Sequence, residues 1–212
     1  MSNDYLEKGG ILCIYGSPRK GGNTDLLMDA FAKGAEAAGG KVHRVYLRDL
    51  KFSPCLELYR CRREGVCGLK DDMTPLYDLM ANAHGVALAT PVMFYTVSAF
   101  TKAFMDRCQS LWCVKYLLKR PVFPERGAKA KGVLLCAGGS AGVKLFDGIR
   151  MTFKYFLDAI DGEPFGEVLV RNADKLNDVK KLPETLAEAE RLGAELARSI
   201  AAGLEGGLAE SR

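Results

Sequence analysis

No window of the 212-residue sequence approaches the ~18 apolar residues that a membrane span requires. The opening MSNDYLEKGG lacks the basic-then-apolar pattern of a secretory signal, so the expectation is a cytoplasmic protein with no membrane contact. Histidine is scarce, and His43 and His84 are isolated and fall in none of the loops singled out below. Lys and Arg gather between Lys115 and Lys131, but without the interleaved aromatics or the density of a nucleic-acid surface. With a formal charge of only +4, that stretch reads as a solvated basic face that also attracts anionic small molecules. The seven cysteines are odd in number and scattered, in a chain long enough not to need staples, which suits a reducing compartment. Cys13 and Cys136 fall in apolar strands and are expected in the core, while Cys108 and Cys113 lack metal spacing.

A chain of this length that is 48% apolar can bury a full core in one domain. Strands are expected over Ile11–Tyr15, around Val42, Val45 and Leu47, over Gly85–Thr90 and Gly132–Ala137, and over a short edge segment Glu167–Val170. Helices are expected over 24–38, after Asp71–Asp72, from about Ser98, over 143–158 and from about Pro183. Residues 48–70 carry no sustained period, and 203–212 read as a frayed tail. Strands alternating with helices imply a parallel sheet covered on both faces, with a ligand site beyond the carboxyl ends of the strands. Loops 16–23, 90–97 and 137–142 lie there.

The first of these loops is the most informative. Gly16-Ser17-Pro18-Arg19-Lys20-Gly21-Gly22-Asn23-Thr24 brings two hydroxyls, an amide and two cations to the start of a helix, whose free N–H groups attract anions. Pro18 breaks a GxGxxG pattern, and Gly22-Asn23 stands where a P-loop requires Lys-Ser/Thr. A terminal monophosphate fits the polar set. The alternative is a Gly-rich capping turn that binds nothing, but two adjacent cations beside an Asn–Thr pair favour the anion seat.

GSPRKGGNT resembles the phosphate loop of the NADPH-dependent FMN reductase family, in the flavodoxin-like superfamily, and especially its iron–sulfur flavoprotein-like branch. Asp71-Asp72-Met73, the loop from Thr90 to Ala99 and the helix Phe100 to Arg107 are similar to further elements of that branch, in the same order. The resemblance implies an α/β, flavodoxin-like, doubly wound five-stranded parallel sheet of order 2-1-3-4-5 that holds FMN. It assigns the phosphate to Ser17, Arg19, Asn23 and Thr24, with Lys20 nearby. The ring edge falls to Pro91, Val92, Met93 and Phe94, and the other side of the flavin to Gly138 and Gly139. Many relatives have Tyr at the place of Met93, whose thioether packs against a ring but donates no hydrogen bond. Read from the residues alone, Phe94 and Tyr95 either border a site or pack under a helix or at a subunit contact. Asp106 and Arg107 read as a helix-surface or interface pair.

The implied activity is NAD(P)H-dependent reduction of FMN, with electrons passed to a small acceptor such as a quinone, a nitro compound or flavin. The cofactor carries that chemistry, so no catalytic side chain is nominated. A homodimer or homotetramer is implied as well. The alternative is an electron-transfer flavoprotein serving a protein partner, and a third class is a binding module without activity. In the same branch the region after Pro54 resembles a four-cysteine run that ligates a [4Fe–4S] cluster. Cys55, Cys61 and Cys67 match its first, third and fourth positions, but Leu58 occupies the second, so a cluster is not expected and no metal ligand is assigned. Arg60, Arg62 and Arg63 would favour a reactive Cys61 if they lie near it. The other reading is a relic loop that shapes the substrate side or a subunit contact.

Overall fold

Continuous rather than alternating apolar runs build the sheet, because helices cover both of its faces. The computed structural model describes residues 7–210. Within them β1 (Gly10–Tyr15), β2 (Val42–Tyr46), β3 (Ala83–Pro91), β4 (Ala130–Ala137) and β5 (Gly162–Val170) pair in parallel in the order 2-1-3-4-5. The helices are α1 (Asn23–Ala37), α2 (Arg60–Glu64), α3 (Thr74–Asn82), α4 (Ala99–Arg107), α5 (Gln109–Trp112), α6 (Asp147–Ala159) and α7 (Pro183–Glu210). Leu27 and Phe31 of α1 and Leu196 and Ile200 of α7 share one core with Ile11 and Ala87. Met80 of α3, Phe104 of α4 and Phe156 of α6 share the other with Leu12 and Leu88. The expected flavodoxin-like sheet, with helices on both faces, is the one observed. No helix among the described residues is long and apolar enough to cross a membrane.

Helices α1 and α7 touch backbone to backbone. A Cβ on Gly34 would lie 1.8 Å from the Glu190 carbonyl oxygen, and one on Gly193 would lie 1.9 Å from that of Phe31. Neither neighbour is a side chain that can swing aside. Gly34→Ala is therefore expected to destabilise by about 2–3 kcal/mol, despite the ~1 kcal/mol that alanine gains in a helix. A urea melt checks this, and an unchanged midpoint would mean that the two helices separate freely.

Several expectations need correction. β5 begins at Gly162 and is nine residues long, not confined to Glu167–Val170. Gly162, Pro164 and Gly166 hide its pattern, and pairing with β4 supplies what local propensity lacks. Leu47 leaves β2 and opens a 3₁₀ turn, and α6 starts at Asp147 rather than 143. α7 continues through 203–210, and 211–212 lie outside the described residues. The basic stretch is not simply a solvated face. Arg126 is buried and donates to the carbonyls of Met80, Ala128 and Ile160, while Lys115 pairs with Asp158 at 3.1 Å.

The pairing expected of Asp106 and Arg107 also fails. Asp106 bonds Lys102 at 2.6 Å on the surface of α4, whereas Arg107 is 1% exposed. Its guanidinium holds both carboxylate oxygens of Asp71, at 2.7 and 3.0 Å, and the carbonyl of Ser53 at 2.9 Å. Two of the motifs read separately along the chain are thus halves of one contact. It clamps both ends of the long connection after β2 to α4.

Candidate functional site

β1 delivers the chain to Gly16, whose N–H donates to the Ala89 carbonyl at 2.7 Å. The Gly16 carbonyl accepts from the hydroxyls of Ser98 and Thr101, both fully buried. A Cβ at this position would lie 2.0 Å from Thr101 Oγ1, so only glycine fits. Ser98 also caps α4, accepting the Thr101 N–H at 3.2 Å, and its own N–H donates to Thr90. This buried hydroxyl network joins the first loop rigidly to the second.

Helix α1 starts at Asn23, and Gly22 supplies no side-chain cap, so its first N–H groups stay available to an anion. Beneath the turn, Asp25 accepts the Gly21 N–H at 2.9 Å and pairs with Arg48 at 2.9 Å. Arg48 also donates to the Ser17 carbonyl and lies 4.8 Å from the centre of the Tyr46 ring. The guanidinium neutralises the carboxylate, which leaves the positive end of α1 uncancelled. Arg48 was not among the expected site residues. Nothing around it in the sequence marks it, since its partner lies 23 positions away.

The three loops converge on a cavity of about 240 Å³. Ser17, Arg19, Asn23 and Thr24 line it from the first, Pro91, Val92 and Met93 from the second, and Gly138 and Gly139 from the third. Every expected residue reaches it except Lys20 and Phe94, whose side chains are exposed. Ser17 is 4% and Thr24 2% exposed. The Asn23 amide is already committed, donating to the carbonyls of Ala173 and Lys175 and accepting the Val179 N–H. What Asn23 offers an anion is therefore its backbone N–H, while its side chain staples the 173–179 segment to the site.

That segment, which follows β5, was missed from sequence. It places Ala173 and Asp174 on the cavity wall. Its only signal was its position beyond the carboxyl end of a strand. The two glycines of the third loop permit the closure: a Cβ on Gly138 would lie 2.7 Å from Val92 Cγ2, and one on Gly139 would lie 2.8 Å from Asp174 Oδ1.

At the rim, Met93 and Thr96 exchange N–H···O bonds at 2.9 and 3.0 Å around Phe94 and Tyr95. Both central residues are left-handed, with φ of +49° and +61°. Such a turn ordinarily takes Asn-Gly. Two aromatics held there store strain, and the Phe94 ring stands fully exposed in the single chain.

A separate cavity of about 470 Å³ lies against α2, lined by Cys55, Leu58, Cys61, Cys67 and Cys113 among others. Among the described residues no three His, Cys, Asp or Glu side chains converge as metal ligands. Cys13 and Cys136 are buried as expected, and burial pushes the Cys13 thiol up to about 12. Burial, then the hydrogen bond with Cys61, pushes Cys113 up to about 11.

A parallel sheet of order 2-1-3-4-5, with three loops converging on a cavity beyond its carboxyl end, defines a flavodoxin-like fold. The solved NAD(P)H:quinone oxidoreductase from Methanothermobacter marburgensis shares this fold, with a TM-score of 0.68 and 16% identity over 89% of this chain and 99% of that one. Residues 10–161 match the NADPH-dependent FMN reductase family, and the chain belongs to that family. It is similar to an iron–sulfur flavoprotein of Archaeoglobus fulgidus, 38% identical over 50% of this chain and 54% of the relative. An iron–sulfur flavoprotein of Methanosarcina thermophila is 32% identical over 60% of this chain and 62% of its own length. The matches span about half the length of the first of these curated relatives.

Proposed function

We propose that the chain is an NAD(P)H-dependent, FMN-containing oxidoreductase that serves a small acceptor such as a quinone, a nitro compound or flavin. The convergence of three loops on one cavity carries this reading, with the hydroxyls of Ser17 and Thr24 on its wall and a strained aromatic turn next to Met93. Its volume of about 240 Å³ lies below the ~300–1,000 Å³ of sites that enclose a whole drug-sized ligand, so it suits the phosphate and ribityl end of FMN.

Ser17, Thr24, Arg19 and the N–H groups at the start of α1 would hold the phosphate, with Lys20 adding charge from the surface. Asp174, a carboxylate on the wall, suits the ribityl hydroxyls. Pro91, Val92, Met93 and Phe94 would border the ring, with Gly138 and Gly139 opposite. Bound there, FMN supplies the hydride chemistry between NAD(P)H and the acceptor. The residues bind, orient and enclose, and none is assigned a catalytic proton transfer. The bare Phe94 ring supports a homodimer or homotetramer that completes the site, in a cytoplasmic protein.

The test is to titrate the purified protein with FMN and then add NADH or NADPH without oxygen. The visible flavin band should bleach, and a quinone should restore it. Failure to take up FMN, or a band that neither nicotinamide bleaches, would sink the proposal. Replacing Phe94-Tyr95 by Asn-Gly should relieve about 1–3 kcal/mol of strain and raise the melting temperature while slowing turnover. Unchanged turnover would remove the turn from the site.

A further inference from the structure

We infer that Cys61 and Cys113 form a second, thiol-based redox site, independent of the flavin, at which hydrogen peroxide converts the facing thiols to a disulfide. The two residues are 52 positions apart, yet Cys113 Sγ donates to Cys61 Sγ at 3.7 Å.

The pair is asymmetric in the way that such a site requires. Cys61 is half-buried and lines the open cavity of about 470 Å³, beside Arg60 and Arg62. Cys113 is 1% exposed and opens the π-helical turn Cys113–Leu117 that extends α5. The more accessible sulfur accepts the hydrogen bond and opens on the cavity that peroxide can enter, so it is the nucleophile. The buried sulfur donates and resolves. Leu58, on the same cavity wall, contributes no ligand that would draw these sulfurs into a four-thiolate cluster. Cys108 is placed otherwise, buried with its thiol donating to the Phe104 carbonyl.

The chemistry balances. Cys61, as thiolate, attacks one peroxide oxygen; an S–O bond forms, the O–O bond breaks, and the departing hydroxide leaves as water with the proton Cys61 gave up. Cys113 sulfur then displaces the hydroxyl of the sulfenic acid. The S–S bond forms, the S–O bond breaks, and the hydroxyl leaves as a second water with the Cys113 proton. Two thiols have lost two electrons, and one peroxide has become two waters. Closure to the ~2.05 Å of a disulfide requires the sulfurs to approach. α2 can supply that movement. It is five residues long, flanked by left-handed Tyr59 and Gly65 in the long connection after β2.

The test treats the purified protein with a small excess of hydrogen peroxide, then denatures, alkylates and weighs it. Two fewer alkylated thiols than the seven of the untreated chain are expected, with digestion locating the bond at Cys61–Cys113. Cys61→Ser should slow thiol loss by roughly tenfold or more, because the nucleophile is gone. In Cys113→Ser, dimedone should trap a sulfenic acid on Cys61, while Cys55→Ser and Cys67→Ser should form the same disulfide as the parent. Circular dichroism confirms that each variant is folded. A bond between other cysteines, or seven thiols still alkylated after peroxide, would overturn the inference. So would iron and sulfide bound through Cys61 in protein isolated without oxygen.

Discussion

Asp71→Ala is expected to cost about 3–5 kcal/mol of folding stability, the range for removing one partner of a buried ion pair. Arg107 has no exposed side-chain surface, and Asp71 takes both of its terminal nitrogens. Without the carboxylate the guanidinium stays buried and charged, with the Ser53 carbonyl as a neutral acceptor. At ~2–4 °C per kcal/mol for a chain of this size, the melting temperature should fall by about 6–20 °C. The double variant Asp71→Ala/Arg107→Met should be milder than the single one, since the stranded charge goes with its partner. Equal melting temperatures for the two would mean that the pair contributes nothing beyond its separate contacts.

The same pair predicts a pH dependence. Burial pushes the Asp71 carboxyl up, but Arg107 and the N–H groups of Ser53 and Met73 outweigh it and hold the carboxyl below its ordinary value. A carboxyl depressed in the folded state contributes its stability in full above its unfolded value of about 4 and loses it as pH falls through the folded value. The stability gap between the parent and Asp71→Ala should therefore be widest near neutrality and narrow below about pH 4. Urea midpoints across that range measure it, and a constant gap would contradict the ionic origin of the contact.

Thr24→Asp should weaken FMN binding by about a hundredfold or more while leaving the fold intact. Thr24 is 2% exposed, the second residue of α1, and on the wall of the cavity. Aspartate is close to it in size, and a carboxylate in the first turn favours a helix by about 0.3–1 kcal/mol. A phosphate at ~4 Å from that carboxylate meets repulsion of about 4 kcal/mol per charge pair at an effective dielectric of ~20. Affinity for FMN should fall by two orders of magnitude or more, since each ~1.4 kcal/mol is tenfold. Riboflavin, which lacks the phosphate, should bind as it does to the parent. Fluorescence titration with both flavins decides the matter: an equal loss for both would place the damage elsewhere in the site.

Local signals made much of this legible. Ile11–Tyr15 and Gly85–Thr90 read as buried strands because continuous apolar runs need no partner to be recognised. Ser17 and Thr24 could be nominated because a phosphate seat at a helix start is built within one short stretch of chain. β5 could not be bounded, since Gly162, Pro164 and Gly166 carry no strand pattern and depend on β4 for pairing. Arg107 beside Asp106 looks like half of a surface pair until α4 turns one residue outward and the other into the core.

The sequence by itself determined the family, the class of fold, the glycine-rich turn before the first helix and most residues of the cavity, because each is encoded in local spacing and backbone chemistry. Only the tertiary structure decided that Asn23 staples a distant loop, that Arg48 neutralises Asp25, that Asp174 closes the wall and that Cys113 faces Cys61. These contacts join residues from 23 to about 150 positions apart. Separation along a chain carries no record of the packing that removes it.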